Sequence, residues 1–460
     1  MYTNMEKFTS LYFIGAGGIG MSALIRYFLA KGYRVAGYDR TPSGLTEALI
    51  QEGAEIVYDE AAALIPDYCR TPETTLVVYT PAIPESHAGW TYFRENGFTI
   101  VKRARLLGMI TRNSKGLCFA GTHGKTTTSS MAAHIFAQSE TGCNAFLGGI
   151  LKNYDSNLIL SDTSPFTVIE ADEYDRSFHQ LSPYMAVITA SDPDHLDIYG
   201  TEEAYLESFR HFTTLIRPGG ALVIKKGIKV EPAVQEGVTV YRYSAGEEGD
   251  FHARNIRIGN GDILFDFVTP KEIIPDIRLG VPVKINIENG IAAMAVAWLN
   301  GIPASVIRES MASFQGARRR FDYWLRNDRT VMIDDYAHHP DELKACITSV
   351  RALYPDKKIS GIFQPHLYTR TRDFHKEFAA ALSLLDELIL LDIYPAREQP
   401  IPGITSRLIF DEVTCPQKEL CTKDMLAEKI KQRNFEVLIT VGAGDIDRML
   451  PEIKNILAAR

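Results

Sequence analysis

GTHGKTTT, Gly121 to Thr128, is the stretch on which the reading of this chain turns. The apolar run from Gly116 to Ala120 before it reads as a buried strand, and a helical pattern follows it to about Gln138. Strand, glycine turn, then Lys-Thr at a helix start is the layout of a phosphate-binding loop. Successive backbone N–H groups and the positive helix end cradle the phosphates, a lysine neutralises charge, and a hydroxyl reaches a divalent cation. The commonest form of such a loop carries a further glycine where this chain has Phe119, so the form here is the shorter Gly-Thr-x-Gly-Lys-Thr. The plain alternative is a glycine-rich turn that binds nothing.

Working outward, a second block extends from about Ser114 to Arg320. Phe166–Ile169 is a short apolar strand ending in EADEYD, Glu170 to Asp175, and Met185–Thr189 leads into SDPDHLDIYG, Ser191 to Gly200. Ligands of open α/β sheets gather at the carboxyl ends of strands, which places Glu170 and His195 beside the loop. A carboxylate and a neutral imidazole there suit a divalent ion bridging phosphate oxygens, although acidic strand ends also cap helices and a lone histidine is often structural. Val238–Tyr243 and Ile256–Val268, with Asn260-Gly261 as a hairpin turn, read as an antiparallel excursion. In Lys284–Leu299 the second half is an alanine-rich helix, and Asn286 and Asn289 at its start either cap it or touch a base.

The first block runs to about Asn113. Strands at Leu11–Ile14, Val35–Tyr38, Glu55–Val57 and Leu76–Tyr79 alternate with helical stretches, which predicts a parallel, doubly wound sheet. Its first turn is GAGGIG, Gly15 to Gly20, followed by Met21 and Ser22, and Asp39 ends the next strand, where a ribose hydroxyl is often held. Alone, that fingerprint favours a nicotinamide dinucleotide or a mere tight turn. The third block opens with RRRF, Arg318 to Phe321. Its strands Val331–Ile333, Ile359–Phe363, Leu388–Leu391 and Val437–Val441 run into DDYAHHP (Asp334 to Pro340), QPHLYTRTR (Gln364 to Arg372) and GAGD (Gly442 to Asp445). Three arginines at a boundary are either a solvated face or a charge clamp for a phosphoryl group. This block has no phosphate loop of its own and suits a second substrate.

Bulk properties agree with an enzyme. The 460 residues suggest about three domains, at 1–113, 114–320 and 321–460. Hydrophobic content of 45% suffices for a core in each. A net charge of −8 without a basic run argues against nucleic acid as a partner. Six scattered cysteines with no C-x-x-C pair predict reduced thiols in a cytosolic protein. No apolar run reaches the ~18 residues of a membrane span, and no signal-peptide core precedes the first strand, so a soluble cytoplasmic protein is expected.

GAGGIGMS, GTHGKTTT, EADEYD, DHLDIY, RRRF, DDYAHHP and QPHLYTRTR, in this order over essentially the whole chain, resemble the Mur ligase family. The resemblance implies three α/β domains: a Rossmann-like UDP-sugar domain, a central P-loop ATPase with a parallel sheet and a small antiparallel portion, and a Rossmann-like amino-acid domain. It implies ATP-dependent ligation of L-alanine to UDP-N-acetylmuramate through an acyl phosphate, in peptidoglycan precursor synthesis. By the same resemblance the ATP site is Gly121, Thr122, His123, Gly124, Lys125, Thr126, Thr127, Asn286, Asn289, Arg320 and Asp335. Thr126, Glu170 and His195 would hold Mg²⁺ (or Mn²⁺). Gly15, Gly17, Gly18, Ile19, Gly20, Met21, Ser22 and Asp39 would hold UDP. Tyr336, His338, His366 and Arg370 would lie near the amino acid and the muramyl carboxylate. Lys125, His195, Arg320 and His338 would be catalytic, His338 as acceptor of the ammonium proton on grounds of residue type. The chain departs from the family's commoner pattern at Leu367 (often Arg), Ala190 (usually Asn) and Ile285 (often His).

Two other readings make different predictions. A murein-recycling branch of the same family would take a tripeptide in place of L-alanine, and QPHLYTRTRD with GAGDID speaks against it. A nicotinamide oxidoreductase would bind its cofactor without ATP and leaves the second block unexplained. A non-catalytic nucleotide binder fits poorly with Lys125, Glu170 and His195 together.

Overall fold

Short, largely apolar runs such as Ser10–Ile14 and Val437–Val441 have every residue buried, the signature of strands covered on both faces. In a computed structural model, which describes residues 5–459 except 81, 82, 85, 194, 195, 247 and 397, such runs assemble into three sheets. The first contains β1 (Ser10–Ile14), β2 (Arg34–Tyr38), β3 (Glu55–Val57), β4 (Thr75–Tyr79) and β5 (Thr99–Lys102) in the order β3-β2-β1-β4-β5, all parallel. The chain reverses direction across the sheet at β1 and β4, so the GAGGIG turn after β1 opens at a topological switch point.

The second sheet contains β6 (Lys115–Ala120), β7 (Asn144–Leu151), β8 (Ser156–Ile159), β9 (Phe166–Glu170), β10 (Met185–Ile188), β11 (Ala221–Lys225), β12 (Thr239–Ser244), β13 (Phe251–Gly259), β14 (Asp262–Val268) and β15 (Ile273–Arg278). Its order is β15-β14-β13-β12-β11-β10-β6-β9-β7-β8. β6 lies between β9 and β10 and parallel to both, so GTHGKTTT leaves the sheet flanked by two other strand ends. The antiparallel excursion is smaller than expected. β12 runs parallel to both β11 and β13, and the reversal begins only at the β13–β14 hairpin, where Asn260 and Gly261 take φ of 53° and 76°.

The third sheet contains β16 (Asp322–Arg326), β17 (Val331–Asp335), β18 (Ile359–Phe363), β19 (Glu387–Leu391), β20 (Gln417–Cys421) and β21 (Val437–Val441) in the order β16-β17-β21-β18-β19-β20. Only β16 is antiparallel to its neighbour.

The chain divides into two compact units. One comprises residues 1–253, 267–274 and 288–311, the other residues 254–266, 275–287 and 312–460. In the first, one apolar cluster runs from Leu11, Phe13 and Leu24 through Ile169 and Ile188 to Phe209. In the second, Met332, Ile362, Ile389, Leu438 and Ile453 form the corresponding core. All six cysteines are buried, with free thiols. Among the described residues no helix is long and apolar enough to cross a membrane.

The helix Ile19–Ala30 is fastened to β8 by Asn157, which is fully buried. Its amide donates to Ile19 O at 2.6 Å and to Ser22 Oγ at 3.0 Å, while its carbonyl accepts from Arg26 at 2.7 Å. Asn157→Ala removes three hydrogen bonds at once but leaves Ser22 Oγ on Ile19 O and Arg26 on Glu52, and denaturant unfolding of the variant is expected to show a loss of about 1–2 kcal/mol.

Candidate functional site

The phosphate loop is shaped by two glycines that no other residue replaces. Gly121 has φ +140° and Gly124 φ +84°, and a Cβ on either would lie 2.2 Å from Thr189 Oγ1 or 2.6 Å from Asn289 Oδ1. Gly124 caps the helix Lys125–Ala137, whose first-turn amides have no intrahelical carbonyl to meet. The loop is braced from β10's end, where Thr122 N donates to Ala190 O at 3.2 Å, and Thr189 Oγ1 donates to Ala120 O at 3.2 Å and to His123 O. Ala190 thus supports the loop through its backbone. Thr122 Oγ1 lies 2.7 Å from Asp192 O and 2.8 Å from Tyr205 Oη, a structural use of that hydroxyl.

Lys125 Nζ donates to Gly121 O at 2.6 Å and Thr122 O at 3.3 Å, and forms a 2.8 Å ion pair with Glu173. Glu173 is 1% exposed, and its second oxygen has no hydrogen-bond partner among the described residues. Burial pushes its carboxyl above the usual range, and the lysine pulls it part of the way back. Glu173 escaped the sequence reading, which took the first acid of EADEYD and passed over the one three residues on.

That first acid, Glu170, ends β9 and accepts from Gly148 N at 3.2 Å. Thr126 is buried in the helix's first turn. Hydroxyl and carboxylate oxygens are the hard donors that Mg²⁺ takes alongside phosphate and water, so these residues fit the ion. Among the described residues no three His, Cys, Asp or Glu side chains cluster as a metal cage, and His195 lies outside the described residues. Asn289 reaches the loop, its Oδ1 accepting from Thr128 Oγ1 at 3.2 Å, whereas Asn286 donates to Val281 O at 3.1 Å. Ile285 is 56% exposed.

In the first glycine loop Gly15 takes φ +92° and a Cβ there would strike Thr80. Asp39 follows β2, but its carboxylate is engaged by the loop itself, accepting from Gly17 N at 2.6 Å and Thr41 N at 3.2 Å. Met21 and Ser22 are buried, and their amides bond to Gly18 O, so the donors facing out of this turn are those of Ile19 and Gly20.

In the second unit Asp335 ends β17 and accepts from Phe321 N and Ala337 N, both at 2.8 Å. Asp334, fully buried, bonds to Thr440 Oγ1 at 2.7 Å and to Arg319 at 3.4 Å. Burial pushes both carboxyls up to about 6. Of the arginine run it is Arg319 that folds inward, donating also to Gly442 O at 2.5 Å and Gly444 O at 3.2 Å, while Arg320 stays exposed and acts electrostatically on Asp335.

Three predicted neighbours do meet: ring centroids are 5.2 Å apart for Tyr336–His338 and 6.1 Å for His338–His366. His338 Nδ1 is 3.0 Å from Tyr336 O, an acceptor only, so Nδ1 carries the proton and Nε2 is left basic. The adjoining helix, Pro340–Leu353, is fixed by Pro340 at its first turn and by Glu342, which accepts from His338 N and His339 N. Arg370 Nη1 is buried with no hydrogen-bond partner among the described residues, which suits it to an anion. Leu367 is buried, takes φ +72° and donates its N–H to Tyr394 O.

Three family models match the chain in turn: Mur ligase family, catalytic domain, over residues 10–115; Mur ligase middle domain over 119–297; and Mur ligase, glutamate ligase domain over 319–445. A UDP-N-acetylmuramate–L-alanine ligase of Parabacteroides distasonis is 65% identical over 454 residues, covering 99% of this chain and 98% of that protein. One of Flavobacterium johnsoniae is 47% identical and covers 99% of each. The crystal structure of a UDP-N-acetylmuramate-alanine ligase from Thermotoga maritima superposes with a TM-score of 0.80 at 25% identity, over 98% of this chain and 100% of that one.

Two consequences of this geometry are measurable. A Cβ at Gly148 would sit 2.3 Å from Glu170 Oε2, so Gly148→Ala must swing the carboxylate and little else. Thermal stability is expected to change by less than about 1 kcal/mol, while Mg²⁺-dependent ATP affinity, read by calorimetry, falls about tenfold. Because the folded carboxyls of Asp334 and Asp335 lie above the ordinary 3.8, the native state holds protons that the unfolded chain has lost. Stability of the second unit is therefore greatest at low pH with respect to these groups and declines as pH rises from about 4 to about 6. Asp335→Asn removes about 1–3 kcal/mol of that decline in urea titrations across this range.

Proposed function

The chain belongs to the Mur ligase family, and from that premise we propose that it is an ATP-dependent ligase joining L-alanine to the carboxylate of UDP-N-acetylmuramate. The observation that carries this reading is the end-to-end match, at 65% identity, to a protein bearing that activity in its name. Residues 1–113 would take the UDP-sugar, 114–320 ATP and 321–460 the amino acid, and the reaction belongs to peptidoglycan precursor synthesis in the cytoplasm.

A carboxylate does not condense with an amine at neutral pH unless it is activated. Transfer of the γ-phosphoryl group of ATP to the muramyl carboxylate releases ADP and leaves an acyl phosphate. The alanine nitrogen then attacks the acyl carbon, and the tetrahedral intermediate collapses with loss of phosphate. Gly121, Thr122, His123, Gly124, Thr126 and Thr127 form the loop and helix start that would cradle the triphosphate, and Lys125 would exchange its loop carbonyls and Glu173 for phosphate oxygens. By the family resemblance Asn286, Asn289 and Asp335 would be the nucleotide's residues, and Arg320 the one for the charge on the transferring group. Mg²⁺ or Mn²⁺, held by Thr126, Glu170 and His195, would supply Lewis-acid neutralisation of the phosphate charge. Gly15 to Ser22 and Asp39 seat the UDP moiety, with contact through the amides of the turn. Arg370 and His366 face the carboxylates, Tyr336 lines the amino-acid site, and His338 Nε2 accepts the proton that the ammonium must lose before attack.

Phosphate release from Mg·ATP is expected to require UDP-N-acetylmuramate and L-alanine together, with the alanyl product seen by mass spectrometry. Lys125→Ala should lower kcat/KM by about 10³-fold or more. Turnover with a free tripeptide in place of L-alanine would assign the chain to the recycling branch, and silence with both amino donors would refute the ligase reading.

A further inference from the structure

The acidic segment Asp172–Asp175 is tied to both glycine loops of the first unit. Glu173 holds Lys125 of the phosphate loop at 2.8 Å, while Asp172 pairs with Arg103 at 3.3 Å and Asp175 with Lys102 at 2.8 Å. Arg103 opens the helix Arg103–Arg112 and lays its guanidinium against the other loop: a Cβ on Gly20 would fall 2.4 Å from Arg103 Nη1. Gly20 stands in the first turn of the helix after GAGG, where backbone amides already point outward. A full positive charge, only 25% exposed, is thus delivered to an anion-binding turn, and no role assigned above uses it. The segment's backbone is left-handed at Asp175 (φ 52°) and Arg176 (φ 54°), a shape that its partners must hold.

We propose that Arg103 is a ligand-binding residue of the sugar-nucleotide site, taking an anionic oxygen group of that substrate, with Asp172 as its counter-ion while the site is empty. Exchange of partners at Arg103 releases Asp172 and loosens the grip of the adjoining Glu173 on Lys125, so that the two nucleotides bind cooperatively. The proposal rests on the reading of GAGGIG as the sugar-nucleotide loop. The planar fork of arginine matches a diphosphate or a carboxylate in two-point contact. The Arg103–Asp172 pair is partly solvated and therefore weak enough to be displaced by such a contact. Coupling of this kind is reciprocal: whatever factor the sugar nucleotide confers on ATP binding, ATP confers on the sugar nucleotide.

Calorimetric titration of the full chain with UDP-N-acetylmuramate, with and without saturating Mg²⁺ and the β,γ-imido analogue of ATP, tests this. In the native protein the analogue should tighten sugar-nucleotide binding about fivefold or more. Arg103→Ala should weaken UDP-N-acetylmuramate about tenfold and abolish the coupling, while the analogue alone binds as tightly as it does to the native protein saturated with the sugar nucleotide, which also reports an intact fold. Asp172→Asn should keep or improve sugar-nucleotide affinity yet lose the coupling, which a merely structural role for the pair would not produce. UDP-N-acetylglucosamine, which has the diphosphate but lacks the carboxylate, separates the two sources. An equal loss in Arg103→Ala assigns the contact to the diphosphate, and a loss confined to UDP-N-acetylmuramate assigns it to the carboxylate. Native sugar-nucleotide affinity in Arg103→Ala, or native coupling in Asp172→Asn, overturns the proposal. A native protein that binds the ATP analogue but no sugar nucleotide would instead refute the functional reading on which it stands.

Discussion

A phosphate-binding loop must keep its amides turned inward and its lysine charged before any phosphate arrives. In this chain the burden falls on the pair Lys125–Glu173. Glu173 is almost wholly removed from water, so without the lysine it would be an uncompensated buried charge, which typically costs 3–5 kcal/mol. Lys125 in turn is only 14% exposed and would face its loop's carbonyls without a counter-ion. The loop geometry depends on the same arrangement. Gly121 and Gly124 bring the backbone so close to Thr189 and Asn289 that no side chain fits, and the lysine closes the turn by bonding to Gly121 O. A phosphate bound there would replace existing partners of the lysine and would not need to create its charge in a dry site.

The second unit solves the opposite problem. Its strand end gathers two carboxylates, Asp334 and Asp335, and the inward-folded Arg319 meets the first of them. Arg319 serves Asp334 and two carbonyls of the GAGD turn at once, which leaves Arg320 outside for another anion. Gln364 anchors the same turn, donating to Asp445 Oδ1 at 2.9 Å and accepting from Ile446 N at 2.9 Å. Gly444 must be glycine for that reason, since a Cβ there would overlap Gln364 Oε1. The ends of β17, β18 and β21 are thereby locked into one rim, on which Tyr336, His338 and His366 stand.

Most of this frame was legible in the residues, because a parallel sheet writes itself as apolar runs and its ligands collect at predictable ends. The place of Glu170 at a strand end, of Thr126 at a helix start and of the glycine turns could be read that way. What could not be found depended on partners distant in sequence. Glu173 looks like one more acid in EADEYD until the chain turns left-handed at Asp175 and Arg176 and buries it. β12 reads like a hairpin strand, yet it continues the parallel sheet because its neighbour is chosen by the sheet and not by the adjacent turn. Nothing local distinguishes Arg319 from Arg320. Asp39 has the right position for a ribose, but its carboxylate shapes the glycine loop through Gly17 N, a contact visible only in three dimensions.

Backbone strain marks the same places by an independent route. Among the described residues, ten that are not glycine have positive φ, and five of these are Asp or Asn, which reach that region cheaply. The other five are Arg176, Arg319, Phe321, Leu367 and Ala396, and each costs of order 1–3 kcal/mol. Arg176 lies in the segment that presents Glu173. Arg319 and Phe321 flank the exposed Arg320, and the Phe321 amide caps Asp335. Leu367 follows His366, and Ala396 stands in the loop whose Tyr394 stacks on that histidine. Strain of this size survives only where surrounding contacts over-determine it, and none of these positions lies in a remote turn. The expense falls where a side chain or an amide has to be aimed, and that physical ground owes nothing to the chain's relatives.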